Sequence, residues 1–265
     1  MTASAPQAAQ QRRFGDEPDH PVSAREHAYR DQSTTFEGYL AHPEGSRGQL
    51  PCIVLGHDWS GLNETTRLIA RQLAGLGYAV FAVDVYGQGV RGDELGDNAS
   101  LMAPLMADRG LLLRRLLRGL EEARGLDVVA ADKLAAFGFC FGGLCALDLA
   151  RADPDGLSAA ISIHGGLTPP EGHSRRPIHS QICLLHGWED PIAPPDELCA
   201  IAAELTEAEA DWRLHAFGHA EHAFTFTKAN APEKGIVYHD KAARLAWRLA
   251  TEFLAETLRQ SNPAR

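Results

Sequence analysis

A cysteine stands among glycines in the segment 138–143, which reads Gly-Phe-Cys-Phe-Gly-Gly. The aliphatic run 133–139 predicts a buried strand, and segment 142–153 has the apolar spacing of a helix. A residue at such a strand-to-helix turn is strained, and the flanking glycines leave room for the crossing backbone. Cys140 then stands at the amino end of a helix, where the helix dipole favours a thiolate. We therefore predict that Cys140 is a nucleophile, the alternative being a buried cysteine at a glycine-rich turn.

This turn has the form of the G-x-Ser-x-G nucleophile elbow of α/β-hydrolases, with cysteine in the serine position. In that fold an acid and then a histidine follow the nucleophile along the chain, each on a loop after a strand. Asp190 follows the aliphatic run 180–187 and precedes a proline. We predict Asp190 as the acid and reject Glu189, since adjacent side chains on a loop usually point apart. The alternative for Asp190 is a turn-forming Asp-Pro pair.

The histidine is expected on the loop that follows the strand-like segment 212–217. That loop, residues 218–224, reads Gly-His-Ala-Glu-His-Ala-Phe and contains both His219 and His222. Residue type and chain order leave these two histidines as competing candidates for the base.

The elements that position these residues alternate along the chain. Short aliphatic runs with little polar alternation are typical of parallel strands that are covered on both faces. They occupy 50–56, 78–84, 133–139, 158–164 and 180–187. Segments with apolar residues every three or four positions predict amphipathic helices between and after them. These segments are 63–77, about 100–123, 142–153, 196–207 and 235–259.

Strands that alternate with helices imply right-handed βαβ units. We predict one α/β domain, a single α/β-hydrolase domain over residues 31–260, with a mostly parallel sheet and helices on both faces. Residues 1–30 are expected to be a flexible polar N-terminal tail, and residues 261–265 a C-terminal tail.

Composition and charge exclude several classes of protein. The chain has 265 residues, 45% of them hydrophobic, and a formal net charge of −10. That composition is typical of a globular protein, and the negative charge repels phosphate backbones. We expect no nucleic acid partner and no membrane partner, and the first twenty residues lack the apolar run of a secretory signal.

The cysteines and histidines do not suggest a metal or a disulfide framework. Five cysteines form an odd set without a CxxC pair, which favours a reducing compartment, and we expect a cytoplasmic protein. The histidines and acids do not fall at metal-ligand spacing, and the chain has no phosphate-binding loop. We therefore expect neither a metal nor another cofactor.

Several motifs together resemble the dienelactone hydrolase family of α/β-hydrolases, in its broad esterase-like branch. They span residues about 37–257 and lie at 56–63, 84–87, 138–143, 164–167, 186–191 and 222–225. In this family the triad histidine precedes a small residue and then phenylalanine. The resemblance therefore favours His222 over His219.

The resemblance also implies site residues. It implies a catalytic triad of Cys140, Asp190 and His222, and an oxyanion hole formed by the backbone N–H groups of Trp59 and Phe141. Donors of that kind are worth about 3 kcal/mol each in acyl-transfer sites. Asp58 stands where the family usually carries a glutamate that helps govern whether the cysteine is thiol or thiolate. The alternative is that this carboxylate merely caps a loop.

One departure from the family bears on the substrate. Dienelactone hydrolases carry an arginine four residues after the triad histidine, and this chain has Phe226 there. An apolar ring cannot pair with a substrate carboxylate, and the flexible ammonium of Lys228 is a poor replacement. We therefore expect a small, more apolar ester or lactone as substrate, with aromatic side chains at the mouth that alternatively serve packing. These side chains are Trp59, Tyr86, Trp188, Phe224 and Phe226.

The predicted function is hydrolysis of carboxylic esters or lactones through a thioester acyl-enzyme on Cys140. A non-catalytic binding or regulatory module that has lost turnover is one alternative. A redox-responsive thiol protein is another, because exposed thiolates oxidise readily. The protein is expected to act as a monomer or homodimer.

Overall fold

Eight strands form one sheet in the computed structural model, which describes residues 12–172 and 176–259. They are β1 (Val22–Asp31), β2 (Thr34–Pro43), β3 (Leu50–Gly56), β4 (Ala79–Val83), β5 (Val129–Phe139), β6 (Leu157–Ile163), β7 (Gln181–Gly187) and β8 (Trp212–Phe217). Their spatial order is β1-β2-β4-β3-β5-β6-β7-β8. Strands β3 to β8 are parallel, whereas β1 and β2 pair antiparallel. A small antiparallel ribbon joins β9 (Asn230–Ala231) to β10 (Ile236–Val237).

Within the described residues, six α-helices cover the sheet. They are α1 (Glu64–Ala74), α2 (Ala99–Ala107), α3 (Arg109–Arg124), α4 (Phe141–Ala152), α5 (Pro195–Glu207) and α6 (Asp240–Arg259). Helices α1 and α6 contribute to one hydrophobic core, and α2 to α5 contribute to a second core on the opposite face. None of these helices is both long enough and apolar enough to cross a lipid bilayer.

The central strands supply both cores at once. Successive side chains of a strand point to opposite faces, so β3 places Cys52 and Val54 in one core and Ile53 and Leu55 in the other. All five residues of β4 are buried. This explains why these strands lack polar alternation in the sequence, and it confirms the predicted α/β fold with helices on both faces.

The predicted helix at about 100–123 is two helices. Pro104 lies inside α2, and the chain leaves helical geometry at Asp108. The carboxylate of Asp108 accepts a hydrogen bond of 2.8 Å from the amide of Leu111 and so begins α3. A single aspartate cap therefore divides a segment whose leucine spacing alone predicts one helix.

The N-terminal boundary differs from the prediction. The tail was expected to reach residue 30, but β1 begins at Val22 and pairs with β2. As an edge strand with mostly exposed or half-buried residues, β1 is rich in charge and lacks the aliphatic signature of the central strands. Upstream of β1, Phe14 is 3% exposed and packs into the core. Residues 1–11 of the predicted tail, and the C-terminal tail, lie outside the described residues.

The burial of Phe14 leads to a stability prediction. Its ring makes edge-on contacts with Phe139 and Trp247, at centroid distances of 4.8 and 5.0 Å. Phe14→Ala is expected to lower the free energy of unfolding by about 3–5 kcal/mol, because it leaves a cavity between the sheet and α6. Urea unfolding followed by circular dichroism measures the change. The matched control is Leu95→Ala, since Leu95 is 70% exposed, and a similar loss in both variants would contradict the prediction.

Candidate active site

Cys140 occupies the turn between β5 and α4. Its φ of 51° and ψ of −118° place it in a strained conformation with positive φ that non-glycine residues rarely adopt. Its amide donates a hydrogen bond of 3.1 Å to the carbonyl of Ile163, and its carbonyl accepts from the amides of Gly143 and Leu144. These bonds hold the strained turn, and the side chain of Cys140 remains partly exposed.

Two glycines make the turn possible by close backbone approach. A Cβ atom on Gly142 would lie 2.3 Å from the carbonyl oxygen of Gly56 at the end of β3. A Cβ atom on Gly138 would lie 2.2 Å from the backbone of Gly142. Because neither contact tolerates a side chain, the start of α4 lies directly against the end of β3. This packing brings the loop after β3 next to Cys140.

His222 lies on the loop between β8 and β9 and is 4% exposed. Its Nδ1 is 2.8 Å from Oδ2 of Asp190. Its backbone is held on both sides, since its amide donates to the carbonyl of Gly235 at 2.9 Å and its carbonyl accepts from Val237 at 3.1 Å. The neighbouring candidate His219 is instead exposed and lies 3.0 Å from the carboxylate of Glu189.

Asp190 lies on the loop after β7 and is fully buried. Its Oδ1 accepts hydrogen bonds from the amides of Ile192 and Ala193, at 2.8 and 3.3 Å. These bonds leave Oδ2 for the imidazole of His222. The Nε2 atom of His186 lies 3.5 Å from the same oxygen and donates to the carbonyl of Ala193 at 2.9 Å.

The electrostatics of His222 reflect its neighbours. Burial disfavours the imidazolium, but negative charge on Cys140 and the hydrogen bond with Asp190 outweigh it and raise the pKa of His222 to about 10. Nδ1 is taken by Asp190, and the buried Nε2 is the ring nitrogen left for the side chain of Cys140, whose hydrogen bond to the ring also raises the pKa of His222. The ring nitrogen opposite Asp190 is therefore available for a proton exchanged with the adjacent sulfur.

A further histidine supports this ring. His164 follows β6 and is 2% exposed, and its ring contacts that of His222 edge-on at a centroid distance of 5.2 Å. Its Nε2 lies 2.8 Å from the hydroxyl of Thr225, and burial together with the charge of His222 lowers its pKa well below the ordinary value. His164 was not predicted from the sequence as a site residue. Its position directly after a buried strand, at the carboxyl edge of the sheet, was the available signal.

The two predicted oxyanion donors lie at the start of α4 and on the loop after β3. Phe141 is the first residue of α4, where an amide has no acceptor within the helix. Trp59 lies on the loop after β3, and its amide donates no hydrogen bond to the residues that the structure describes. Asp58 on the same loop accepts from the amide of Ser60 at 2.8 Å, as the loop-capping alternative requires.

Of the predicted pocket residues, Tyr86, Phe226 and Trp188 are accessible to solvent, whereas Phe224 is not. Tyr86 stacks on Phe141 with ring centroids 6.0 Å apart, and both Tyr86 and Phe226 are half-buried. Trp188 is 46% exposed, two residues before Asp190. The prediction for Phe224 is corrected, because its ring is 0% exposed and packs against Phe217 in the core. A ring without solvent access cannot line an open pocket.

Phe226 stands where dienelactone hydrolases carry an arginine, and the cationic residue nearest to it in the sequence, Lys228, already has an acidic partner. Lys228 forms an ion pair of 2.8 Å with Glu94, which also accepts from the hydroxyl of Thr65 at 2.7 Å. Among the described residues, no group of three histidine, cysteine or acidic side chains is arranged to hold a metal ion. Within the described part of the chain, the site therefore combines the sulfur of Cys140 on a strained turn, the buried pair of His222 and Asp190, and the unpaired amides of Trp59 and Phe141. Such an arrangement suits acyl transfer.

The chain as a whole is similar to a known protein family and to several known proteins. The profile of the dienelactone hydrolase family matches residues 36–258. An uncharacterized protein of Caenorhabditis elegans is 36% identical over 155 residues, which cover 57% of this chain and 98% of that protein. A protein of Salmonella typhimurium named a putative carboxymethylenebutenolidase is 25% identical over 256 residues, which cover 90% of this chain and 89% of that protein.

Solved structures extend the likeness to the fold. A crystal structure described as a dienelactone hydrolase-like promiscuous phosphotriesterase from metagenomic libraries superposes with a TM-score of 0.83 and 31% identity. The superposition covers 89% of this chain and 98% of that one. The residues matched by the family profile include every strand from β3 to β8 and the loops that follow them.

Proposed function

Because the chain belongs to the dienelactone hydrolase family of ester hydrolases, we propose that it cleaves small carboxylic esters or lactones through a thioester on Cys140. The observation that carries this proposal is the buried pair of His222 and Asp190, joined at 2.8 Å, beside the strained turn of Cys140. Each member of the triad comes from a different loop at the carboxyl edge of the sheet, as an acyl-transfer site on this fold requires.

In the first half of the reaction, the thiol of Cys140 gives its proton to Nε2 of His222, which becomes an imidazolium, and the sulfur attacks the substrate carbonyl carbon. The carbon–sulfur bond forms as the carbonyl oxygen takes the electron pair and becomes an oxyanion, which the amides of Trp59 and Phe141 receive. Collapse of this intermediate breaks the bond to the leaving alkoxide, and the imidazolium of His222 gives it a proton. A thioester on Cys140 remains, and in a lactone the alcohol stays attached to the acyl group.

In the second half, water attacks the thioester and His222 takes its proton as general base. The second oxyanion collapses, the carbon–sulfur bond breaks with its electron pair on sulfur, His222 returns the proton to that sulfur, and the carboxylic acid leaves. Asp190 holds Nδ1 of the ring throughout, so that Nε2 faces the reacting atoms. The test is a burst of nitrophenolate from a short-chain nitrophenyl ester, with the acyl group located on Cys140 by mass spectrometry of the trapped enzyme.

Turnover also separates this proposal from its two alternatives. A binding module with an inactive site would show no hydrolysis and no acyl adduct. A redox-responsive thiol would react with peroxide and would not release product from esters. Cys140 lies on a strained turn, and His222 is hydrogen-bonded to Asp190. The presence of all three groups favours catalysis over these alternatives.

The substrate is proposed to be neutral near the acyl group, because Phe226 is apolar and Lys228 is paired with Glu94. Phe226→Arg is expected to raise the kcat/KM for a carboxylate-bearing lactone, relative to a neutral ester, by about tenfold or more, since a charged hydrogen bond contributes about 1.5–3 kcal/mol. Steady-state kinetics on matched substrates with and without a carboxylate measures the ratio.

The control for this change is Phe226→Met, which removes the ring without adding charge and is expected to leave the ratio close to that of the wild type. An unchanged ratio in Phe226→Arg would mean that position 226 does not face the substrate. The substrates tested also include a neutral phosphate triester, because the metagenomic protein of similar structure is described as a promiscuous phosphotriesterase. A neutral triester needs no cationic side chain to bind it.

A further inference from the structure

His57 follows directly after β3 and is 2% exposed. Its Nε2 lies 3.3 Å from the backbone nitrogen of Val85, and its Nδ1 lies 2.6 Å from the backbone carbonyl oxygen of Asp58. A backbone amide can only donate, so Nε2 accepts from Val85. The proton of the neutral ring is then on Nδ1, which donates to the carbonyl of Asp58.

The surroundings keep this ring neutral. Burial lowers the pKa of His57, although the carbonyl of Asp58 and the carboxylate of Asp84 oppose that effect. The ring packs against Tyr86 at a centroid distance of 4.7 Å. A second proton on Nε2 would face the N–H of Val85 and lose that hydrogen bond. The tautomer with its proton on Nδ1 is thus selected by the fold.

The carbonyl that His57 contacts belongs to the peptide group of the proposed oxyanion donor. The C=O of Asp58 and the N–H of Trp59 are parts of one planar unit and point in opposite directions. The amide of Gly61 donates to the same carbonyl at 3.2 Å, and the hydroxyl of Tyr86 donates to the carbonyl of Trp59 at 2.9 Å. Both carbonyls that flank the Trp59 nitrogen are therefore held, while its N–H stays without an acceptor among the described residues.

We propose that His57 is a positioning residue that fixes the direction of the Trp59 N–H toward the substrate oxyanion. The inference rests on the proposed function. The hydrogen bond from Nδ1 turns the peptide plane, and it also polarises the peptide, which strengthens the N–H of Trp59 as a donor. Preorganised donors of this kind stabilise a charge that exists only during the reaction. Rotation of the peptide plane weakens catalysis even though Cys140, His222 and Asp190 are unchanged.

A matched pair of variants separates the donor from the size of the side chain. In His57→Asn the amide nitrogen lies two bonds from Cβ, as Nδ1 does, and can donate to the carbonyl of Asp58. In His57→Gln the nitrogen lies three bonds from Cβ, as Nε2 does, and that donor is lost. We expect His57→Gln to lower the acylation rate from the nitrophenolate burst by about 10- to 100-fold, somewhat less than removal of an oxyanion donor. We expect His57→Asn to retain most of the wild-type rate.

Two readouts distinguish positioning from general damage. Alkylation of Cys140 by iodoacetamide forms no oxyanion, so its rate is expected to be the same in the wild type and in His57→Gln. Nitrogen NMR of the wild-type ring is expected to show a proton on Nδ1 and none on Nε2. Equal losses of acylation and alkylation, equal losses in the two variants, or the opposite tautomer would each overturn the inference. Failure of the wild type to hydrolyse any ester would instead overturn the proposed function and, with it, the catalytic role of His57.

Discussion

Cys140→Ala is expected to lower turnover of a short-chain nitrophenyl ester by about 10⁴-fold or more. The change removes the sulfur that accepts the acyl group and leaves only substrate binding and the oxyanion donors to assist direct attack by water. His222 and Asp190 keep their hydrogen bond but have no nucleophile to activate. Steady-state release of nitrophenolate measures the loss, and the intact mass of the variant is expected to show no acyl adduct.

The matched control is Cys199→Ala. Cys199 is exposed on α5 and lies outside the proposed site, so its removal is expected to leave turnover at the wild-type value. Near-ultraviolet circular dichroism and the thermal midpoint establish that both variants are folded. Wild-type turnover in a folded Cys140→Ala protein would show that the reaction does not pass through this sulfur.

Asp190→Asn is expected to lower kcat by about 10³-fold or more, as the comparable change does in a serine triad. The direction of the new amide follows from the loop, because Oδ1 accepts from the amides of Ile192 and Ala193. The asparagine oxygen therefore takes that position, and its NH₂ group faces Nδ1 of His222. An NH₂ donor selects the tautomer with the proton on Nε2, and that nitrogen can then no longer accept a proton.

The same change alters the titration of His222. In the wild type, burial is outweighed by the charge on Cys140 and by the bond to Asp190, which raise the pKa from 6.5 to about 10. Loss of the carboxylate is expected to lower that pKa, and NMR titration of the imidazole C–H measures it. Because the pKa of His222 is higher in the folded state than in the unfolded state, protonation of this ring stabilises the wild-type fold. The stabilisation is complete below pH 6.5 and is lost as the pH rises through about 10. The variant is expected to lose less stability over that interval.

Glu189→Gln is the control for the carboxylate. Glu189 is half-exposed and lies 3.0 Å from the exposed ring of His219. Its replacement is expected to leave both kcat and the pKa of His222 at their wild-type values. A greater loss of activity in Glu189→Gln than in Asp190→Asn would assign the acid to Glu189 and contradict the proposed triad.

The strand-to-helix turn at Cys140 could be predicted from the sequence because its cause is local. A buried strand, a tight turn and a helix follow one another within a short segment, and the glycines at 138 and 142 mark where backbones meet. The histidine was different, since residue types left His219 and His222 as equal candidates. Their burial separates them in the structure, with His222 against Asp190 and His219 in solvent.

Other features depend on the partner that a segment meets, and for these the sequence was a poor guide. The charged strand β1 becomes ordered by pairing with β2 at a sheet edge. Phe14 becomes a core residue because Phe139 and Trp247 surround it. Phe224 follows the histidine by two positions, yet it turns into the core and not toward the substrate.

The sequence by itself therefore determined the class of fold, the order of its central strands and the strand-to-helix turn that carries Cys140, because hydrophobic period and turn chemistry act between residues that are close along the chain. The tertiary structure shows that the imidazole of His222, which the resemblance to the family favoured, meets Asp190. It alone reveals the contact of His57 with Val85, 28 positions away, from which the orientation of the Trp59 peptide group is inferred. Such contacts join separate strand ends, and their distances depend on how the sheet and its loops pack together.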